Sequence, residues 1–123
     1  MKLKVGIFDS GMGGFTILDS LLKTRNDVEV FYLADIKRVP YGKKDFEQIR
    51  SIAKEICNWF KDKNLDVLLI ACNTTNSCAL DILENNLKIP VFDLINSVSE
   101  KITKNFIGVL ATPATIKSSY YKK

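Results

Sequence analysis

Cys72 opens the run Cys72-Asn73-Thr74 directly after the continuous apolar stretch Val67-Leu68-Leu69-Ile70-Ala71. A thiol placed where a strand hands over to a helix meets unpaired N–H groups, which favour the thiolate and make it a nucleophile or a base. Asp9 stands in the same relation to the first apolar stretch and is followed by Ser10-Gly11. A carboxylate beside a thiol can accept its proton or pair with a substrate ammonium, and it can equally cap a helix. Later stretches end in Asp35, in Asn96-Ser97 and in Thr112-Pro113-Ala114-Thr115, so the set is rich in small hydroxyl and amide groups and holds no lysine. Ser10, Asn73, Thr74, Thr112 and Thr115 can each cap a helix, and the N–H groups they leave free can hold a substrate carboxylate. Cys57 and Cys78 fall inside helical patterns and read as small buried hydrophobes.

What is missing narrows the chemistry further. The chain has no histidine, which rules out histidine acid/base catalysis and the common histidine-containing zinc sites; no metal site is expected. Gly11-Met12-Gly13-Gly14-Phe15-Thr16 has threonine where a dinucleotide fingerprint wants its last glycine, and no Gly-Lys-Ser/Thr follows. Its glycines instead suit a tight turn with exposed N–H groups for a carboxylate or phosphate. A phosphoacceptor receiver would need a carboxylate at the third strand end and a lysine at the fifth, where this chain has Cys72 and Thr112.

The elements that position these residues follow from hydropathy. Five short runs rich in β-branched or aromatic residues are expected to be strands: Lys4–Phe8, Val28–Leu33, Asp66–Ala71, Pro90–Leu94 and Phe106–Ala111. Their continuous apolar character is that of strands buried on both faces. Between them Phe15, Leu18, Leu21 and Leu22 share one helical face, as do Phe46, Ile49, Ala53, Ile56 and Phe60, with Asp45 and Gln48 as N-cap and N3. Cys78, Ile82 and Leu83 mark a third helix. Ser97-Val98-Ser99-Glu100 predicts a capping box opening a fourth, and Thr112-Pro113 an N-cap and first turn opening a fifth. The alternation predicts an α/β fold: a single doubly wound domain over residues 1–123, a mainly parallel five-stranded sheet with helices on both faces. Ligands of such a sheet bind beyond the carboxyl ends of its strands, where the residues above collect. The long polar connection 34–44, which contains Pro40-Tyr41-Gly42, reads as a binding loop.

Composition sets the outer bounds. A chain of 123 residues, 46% hydrophobic and 26% charged, is an ordinary globular domain with a real core. No apolar run approaches the roughly 20 residues of a membrane span, and the N-terminal stretch is too short for a signal peptide. The net charge of +4 belongs to the end of the chain, since residues 101–123 carry five lysines and no acid. Tyr120-Tyr121-Lys122-Lys123 is read as part of a solvated terminal helix and not as a nucleic-acid face. Three cysteines without a C-x-x-C pair and without an export signal imply reduced thiols in a cytoplasm.

Four separated motifs, Phe8-Asp9-Ser10-Gly11-Met12-Gly13-Gly14, Arg38-Val39-Pro40-Tyr41-Gly42, Ala71-Cys72-Asn73-Thr74 and Ala111-Thr112-Pro113-Ala114-Thr115-Ile116, resemble the N-terminal half of the glutamate racemases, within the aspartate/glutamate racemase superfamily. The resemblance implies a cofactor-independent enzyme in which two cysteines face opposite sides of the substrate α-carbon, one removing a proton and the other returning one. Carried over by motif, Cys72 would be the first acid/base cysteine and Asp9 the carboxylate that assists it beside the substrate amino group. Ser10, Tyr41, Gly42, Asn73 and Thr74 would line the substrate site, and Thr112 and Thr115 would help hold a carboxylate. The implied product is D-glutamate for peptidoglycan in a bacterial cytoplasm.

Three departures from the family pattern stand out. Ala34-Asp35-Ile36-Lys37 and Thr75-Asn76 replace the usual residues, and both are expected to alter a loop without touching the acid/base group. The chain also ends before the second half of the family fold, which would carry the opposing cysteine. It therefore reads as a truncated N-terminal domain, poorly active alone. A homodimer supplying Cys72 from each copy, and a non-catalytic amino-acid-binding or interaction module, are the alternative arrangements.

Overall fold

The computed structural model describes residues 1–122; Lys123, the last residue of the basic tail, lies outside the described residues. Four strands, β1 (Leu3–Asp9), β2 (Val28–Ala34), β3 (Val67–Ile70) and β4 (Val91–Asp93), form one parallel sheet in the order β2-β1-β3-β4. The register pairs Asp9 with Ala34 and Phe8 with Ile70, so the carboxyl ends of β1, β2 and β3 open at one edge.

The core divides by face. Helices α2 (Phe46–Lys61) and α3 (Asn73–Leu87) cover one side, burying Ile49, Ala53, Ile56, Phe60 and Leu83 against Phe8, Leu68 and Ile70. Helix α1 (Phe15–Thr24) covers the other with Leu18 and Leu21 over Val5, Ile7 and Val28. It buries no residue completely, and Leu22 stays exposed while Phe15 stacks on Tyr32 at 4.8 Å. Helix α2 starts as its sequence predicts: Asp45 accepts from the Gln48 N–H at 2.8 Å and the Gln48 side chain accepts from the Asp45 N–H. Phe46, however, lies outside the buried face, and its ring carries the Arg50 guanidinium.

Two expectations need correction. The sheet has four strands, not five: Phe106–Ala111 is not part of it. Among the described residues no backbone hydrogen bond involves positions 103–111, and Phe106 and Leu110 are 95% and 103% exposed. The run has the β-branched and apolar character of a strand, but a strand also requires a partner edge and a covering layer, which its own residues do not encode. The fourth helix does not open at Ser97 but spans Leu94–Ser99 (α4), so Asn96 and Ser97 lie within it. The carboxylate of Asp93, at the end of β4, accepts from the Asn96 N–H at 2.7 Å and from the Asn96 side chain, a charge-assisted cap that starts the helix at once. The fifth helix, α5 (Pro113–Lys117), keeps Thr112 as its N-cap and proline in its first turn. The connection 34–44 folds into two 3₁₀ turns, Ile36–Arg38 and Tyr41–Lys43. No helix among the described residues is long and apolar enough to cross a membrane.

Candidate active site

The end of β1 and the start of α1 are drawn together by Asp9. Its Oδ2 accepts from the Gly14 N–H at 3.0 Å, a buried anchor for the helix N-terminus. A Cβ on Gly14 would stand 2.6 Å from the Tyr32 hydroxyl and 2.9 Å from the Asp9 Cβ, so only glycine lets the two elements approach this closely. The Asp35 N–H in turn donates to the Asp9 carbonyl at 3.2 Å, tying the end of β2 to the same point.

Cys72 lies at the neighbouring strand end, 5% exposed, and is itself the N-cap of α3. Its sulfur accepts from the Thr75 N–H at 3.5 Å and from the Thr75 hydroxyl at 3.4 Å, and its thiol donates to Ser10 Oγ at 3.4 Å. Ser10 is the residue after Asp9, so the thiol faces the β1 terminus across the sheet edge. The other two cysteines sit elsewhere. Cys57 and Cys78 are buried, with the carbonyls of Ile82 and Ala114 at 3.8 Å from their sulfurs and the Ser77 hydroxyl 3.7 Å from that of Cys78, and burial pushes both thiols up from their ordinary range.

Beside the thiol lies a cluster of hydroxyls. Thr74 Oγ1 and Thr112 Oγ1 are 2.8 Å apart, Thr112 Oγ1 and Thr115 Oγ1 3.0 Å, and Ser77 donates to Thr115 Oγ1 at 3.3 Å. The first turn of α3 is thus joined to the cap of α5 by side chains 38 residues apart in sequence. Gly42 packs directly on this joint: a Cβ there would come within 2.6 Å of Thr112 Cγ2.

Of the residues singled out from the sequence, Asp9, Ser10, Cys72, Thr74, Thr112, Thr115 and Gly42 therefore collect at one edge, and Asn73 lies exposed in the first turn of α3. Tyr41 is placed differently from a residue lining a crevice with its side chain. It is 2% exposed, its ring tilts against Phe8 at 6.3 Å, and its hydroxyl donates to Asp35. Burial, and then this bond to a carboxylate, raises the phenol well above its usual range. Asp35 also accepts from Arg38 Nε at 2.6 Å, and Arg38 reaches Glu55 on α2 at 2.7 Å. The ring and its ion pairs hold the turn from behind.

The sequence places Thr75-Asn76 in a loop clear of the acid/base group, and the structure corrects this: both lie in the first turn of α3. The departure from the family pattern at Thr75 does touch the cysteine, through the hydroxyl contact just given. The signal was available, because an N3 side chain reaches back to its N-cap. Asn76, the other departure, is 1% exposed and donates to Asp93 Oδ1 at 3.0 Å, linking α3 to the start of α4. Among the described residues no three His, Cys, Asp or Glu side chains gather as a metal-binding group. A cavity of about 420 Å³ lies behind Gly42, lined by Lys43, Phe46, Cys78, Ala114 and Lys117. It does not include Cys72 or Asp9.

No family model matches the chain. Curated relatives do. It is 49% identical over 119 residues to a glutamate racemase of Prochlorococcus marinus, covering 97% of this chain and 45% of that one. With the glutamate racemase of Aquifex aeolicus it shares 44% over 125 residues, covering 98% and 49%. Among solved structures, glutamate racemase from Aquifex pyrophilus superposes with a TM-score of 0.90 at 41% identity, over 98% of this chain and 49% of that one. The enzyme from Francisella tularensis in complex with D-glutamate does so with a TM-score of 0.94 at 37% identity, over 98% and 47%. The chain thus spans about half the length of the relatives it matches. Over nearly its whole length it is homologous to the glutamate racemases, and it corresponds to their N-terminal half.

Proposed function

We propose that this chain supplies one face of a cofactor-independent racemase site acting on glutamate, with Cys72 as the acid/base group and residues 1–123 as the N-terminal racemase-like domain. The observation that carries this reading is a thiol at the N-terminus of a helix, met by hydroxyls of Ser10 and Thr75, in a chain homologous to glutamate racemases. An α-hydrogen beside an ionised carboxylate is a very weak acid. Its removal needs a thiolate on one side and oriented donors where charge develops on the other.

In this reading the Cys72 thiolate takes the α-hydrogen as a proton, and the C–H electron pair stays on the α-carbon, spread into the substrate carboxylate. The hydroxyls of Thr74, Thr112 and Thr115 and the free N–H groups of Asn73 and Thr74 hold that carboxylate. Asp9 and Ser10 sit beside the substrate amino group, and the backbone of Tyr41 and Gly42 closes the wall. Returning a proton to the opposite face requires a second acid that is not Cys57 or Cys78, since these lie within α2 and α3 and not at the carboxyl end of a strand. The reaction would supply D-glutamate to a bacterial cell wall from the cytoplasm.

The test is α-hydrogen exchange in deuterated water with D- and L-glutamate, followed by proton NMR and chiral analysis. We expect exchange from one enantiomer with its configuration retained, and none in Cys72→Ala. Exchange that survives Cys72→Ala would defeat the assignment, as would binding of neither enantiomer by calorimetry.

A further inference from the structure

We infer that Thr75 is a positioning residue that holds the sulfur of Cys72 as a thiolate acceptor through its side-chain hydroxyl. Thr75 is 0% exposed, so its hydroxyl is shut off from bulk solvent. A buried hydroxyl that donates to nothing loses its hydration without return, and the acceptor the structure gives this one is Cys72 Sγ at 3.4 Å. The Thr75 N–H points to the same sulfur at 3.5 Å. Two donors from one residue therefore converge on one atom.

Their effect has a definite sign. A thiol needs only one acceptor for its proton, and Ser10 Oγ serves at 3.4 Å. A thiolate gains from every donor around it, so the hydroxyl favours the charged form more than the neutral one. The amide N–H would do this with any residue at position 75. The hydroxyl depends on the side chain, and that separates positioning from helix capping. The other titratable groups that sense charge at the sulfur are Tyr41 from the 3₁₀ turn and Cys78 from α3 itself; from the end of β1 the contact is Ser10, the residue after Asp9. Tyr41 and Cys78 both respond to charge at Cys72, and both are common to every position-75 variant, so they do not distinguish one variant from another.

The inference rests on the proposed role of Cys72 for its catalytic meaning, but its physical content does not. The experiment is the pH profile of iodoacetamide alkylation of Cys72 in the full chain, read by peptide mass spectrometry so that Cys57 and Cys78 are scored separately. Thr75→Val keeps the shape and deletes the hydroxyl; Thr75→Ser keeps the hydroxyl. In Thr75→Val the rise of Cys72 alkylation should move to higher pH, with the rate at neutral pH falling about threefold to tenfold. Thr75→Ser should follow the native profile. A Thr75→Val profile that superimposes on the native one overturns the inference, and so does a Thr75→Ser profile displaced as far as that of valine. α-Hydrogen exchange with glutamate, measured on the same three proteins, keeps the two ideas apart. If the native chain shows no exchange while the alkylation profiles shift as expected, the racemase reading fails and the role of Thr75 stands.

Discussion

Helix α3 carries two cysteines six positions apart, and they occupy different chemical worlds. Cys72 stands at the helix N-terminus, met by two hydroxyls and an N–H, whereas Cys78 is about one and two-thirds turns further on, packed into the core beside Ala114 with the Ser77 hydroxyl 3.7 Å from its sulfur. Both are buried to a similar degree, so burial alone does not tell them apart. The difference lies in what surrounds the sulfur. At Cys78 burial dominates and raises the thiol despite the Ser77 contact, while at Cys72 the N–H and the hydroxyl of Thr75 are both directed at the sulfur.

That contrast can be broken most decisively at the sulfur itself. Cys72→Ala should lower α-hydrogen exchange with glutamate by about a hundredfold or more, while Cys78→Ala should leave it within a small factor. NMR exchange rates on the two variants decide this, and equal losses would erase the distinction. A second test sets the hydroxyl cluster beside Cys72 against the packing behind it. Gly42→Ala would force a methyl into Thr112, and we expect it to cost about 1–3 kcal/mol of stability by denaturant titration. Tyr41→Phe leaves the Asp35 carboxylate without its phenol donor and should cost about 1–2 kcal/mol. A neutral outcome would mean that Arg38 alone satisfies Asp35.

The smallest effect is one of pH. Burial raises the thiols of Cys57 and Cys78 and the phenol of Tyr41 in the folded chain. In each case the unfolded chain releases its proton first, so the stability these groups contribute is present at neutral pH and falls as pH climbs past their ordinary values. Thermal melts should therefore decline through the ordinary thiol range, and Cys57→Ala with Cys78→Ala should flatten the first part of that decline. A melt that is unchanged across that range would show that the buried thiols do not couple to folding.

Much of this arrangement was legible beforehand. The first three strands, the Asp45–Gln48 capping box and the Thr112-Pro113 start of α5 follow from local chemistry, because each signal and its partner lie within a few residues. The grouping of Asp9, Ser10, Cys72 and the threonines at one edge follows from parallel strands sharing a carboxyl end. What stayed hidden depends on partners distant in the chain. Phe106–Ala111 has a strand's composition without a strand's neighbours. The Tyr41 ring turns to Asp35 because Arg38 and Glu55 build a charged seat there, which no periodicity announces. The fourth helix is a contest between two caps close in sequence: Asp93 outcompeted Ser97 because a carboxylate at the strand end was already aimed at the Asn96 amide.

The uncovered stretch Phe106-Ile107-Gly108-Val109-Leu110-Ala111 also has a bearing on how this polypeptide behaves in a tube. Six uncharged residues without proline, with their amides and carbonyls unengaged, are the raw material of intermolecular sheet. Only Lys104 and Lys101 on one side and Pro113 on the other stand guard over them. Added salt, by weakening the mutual repulsion of those lysines, should hasten clumping of concentrated solutions, and a single charge introduced at Val109 should slow it.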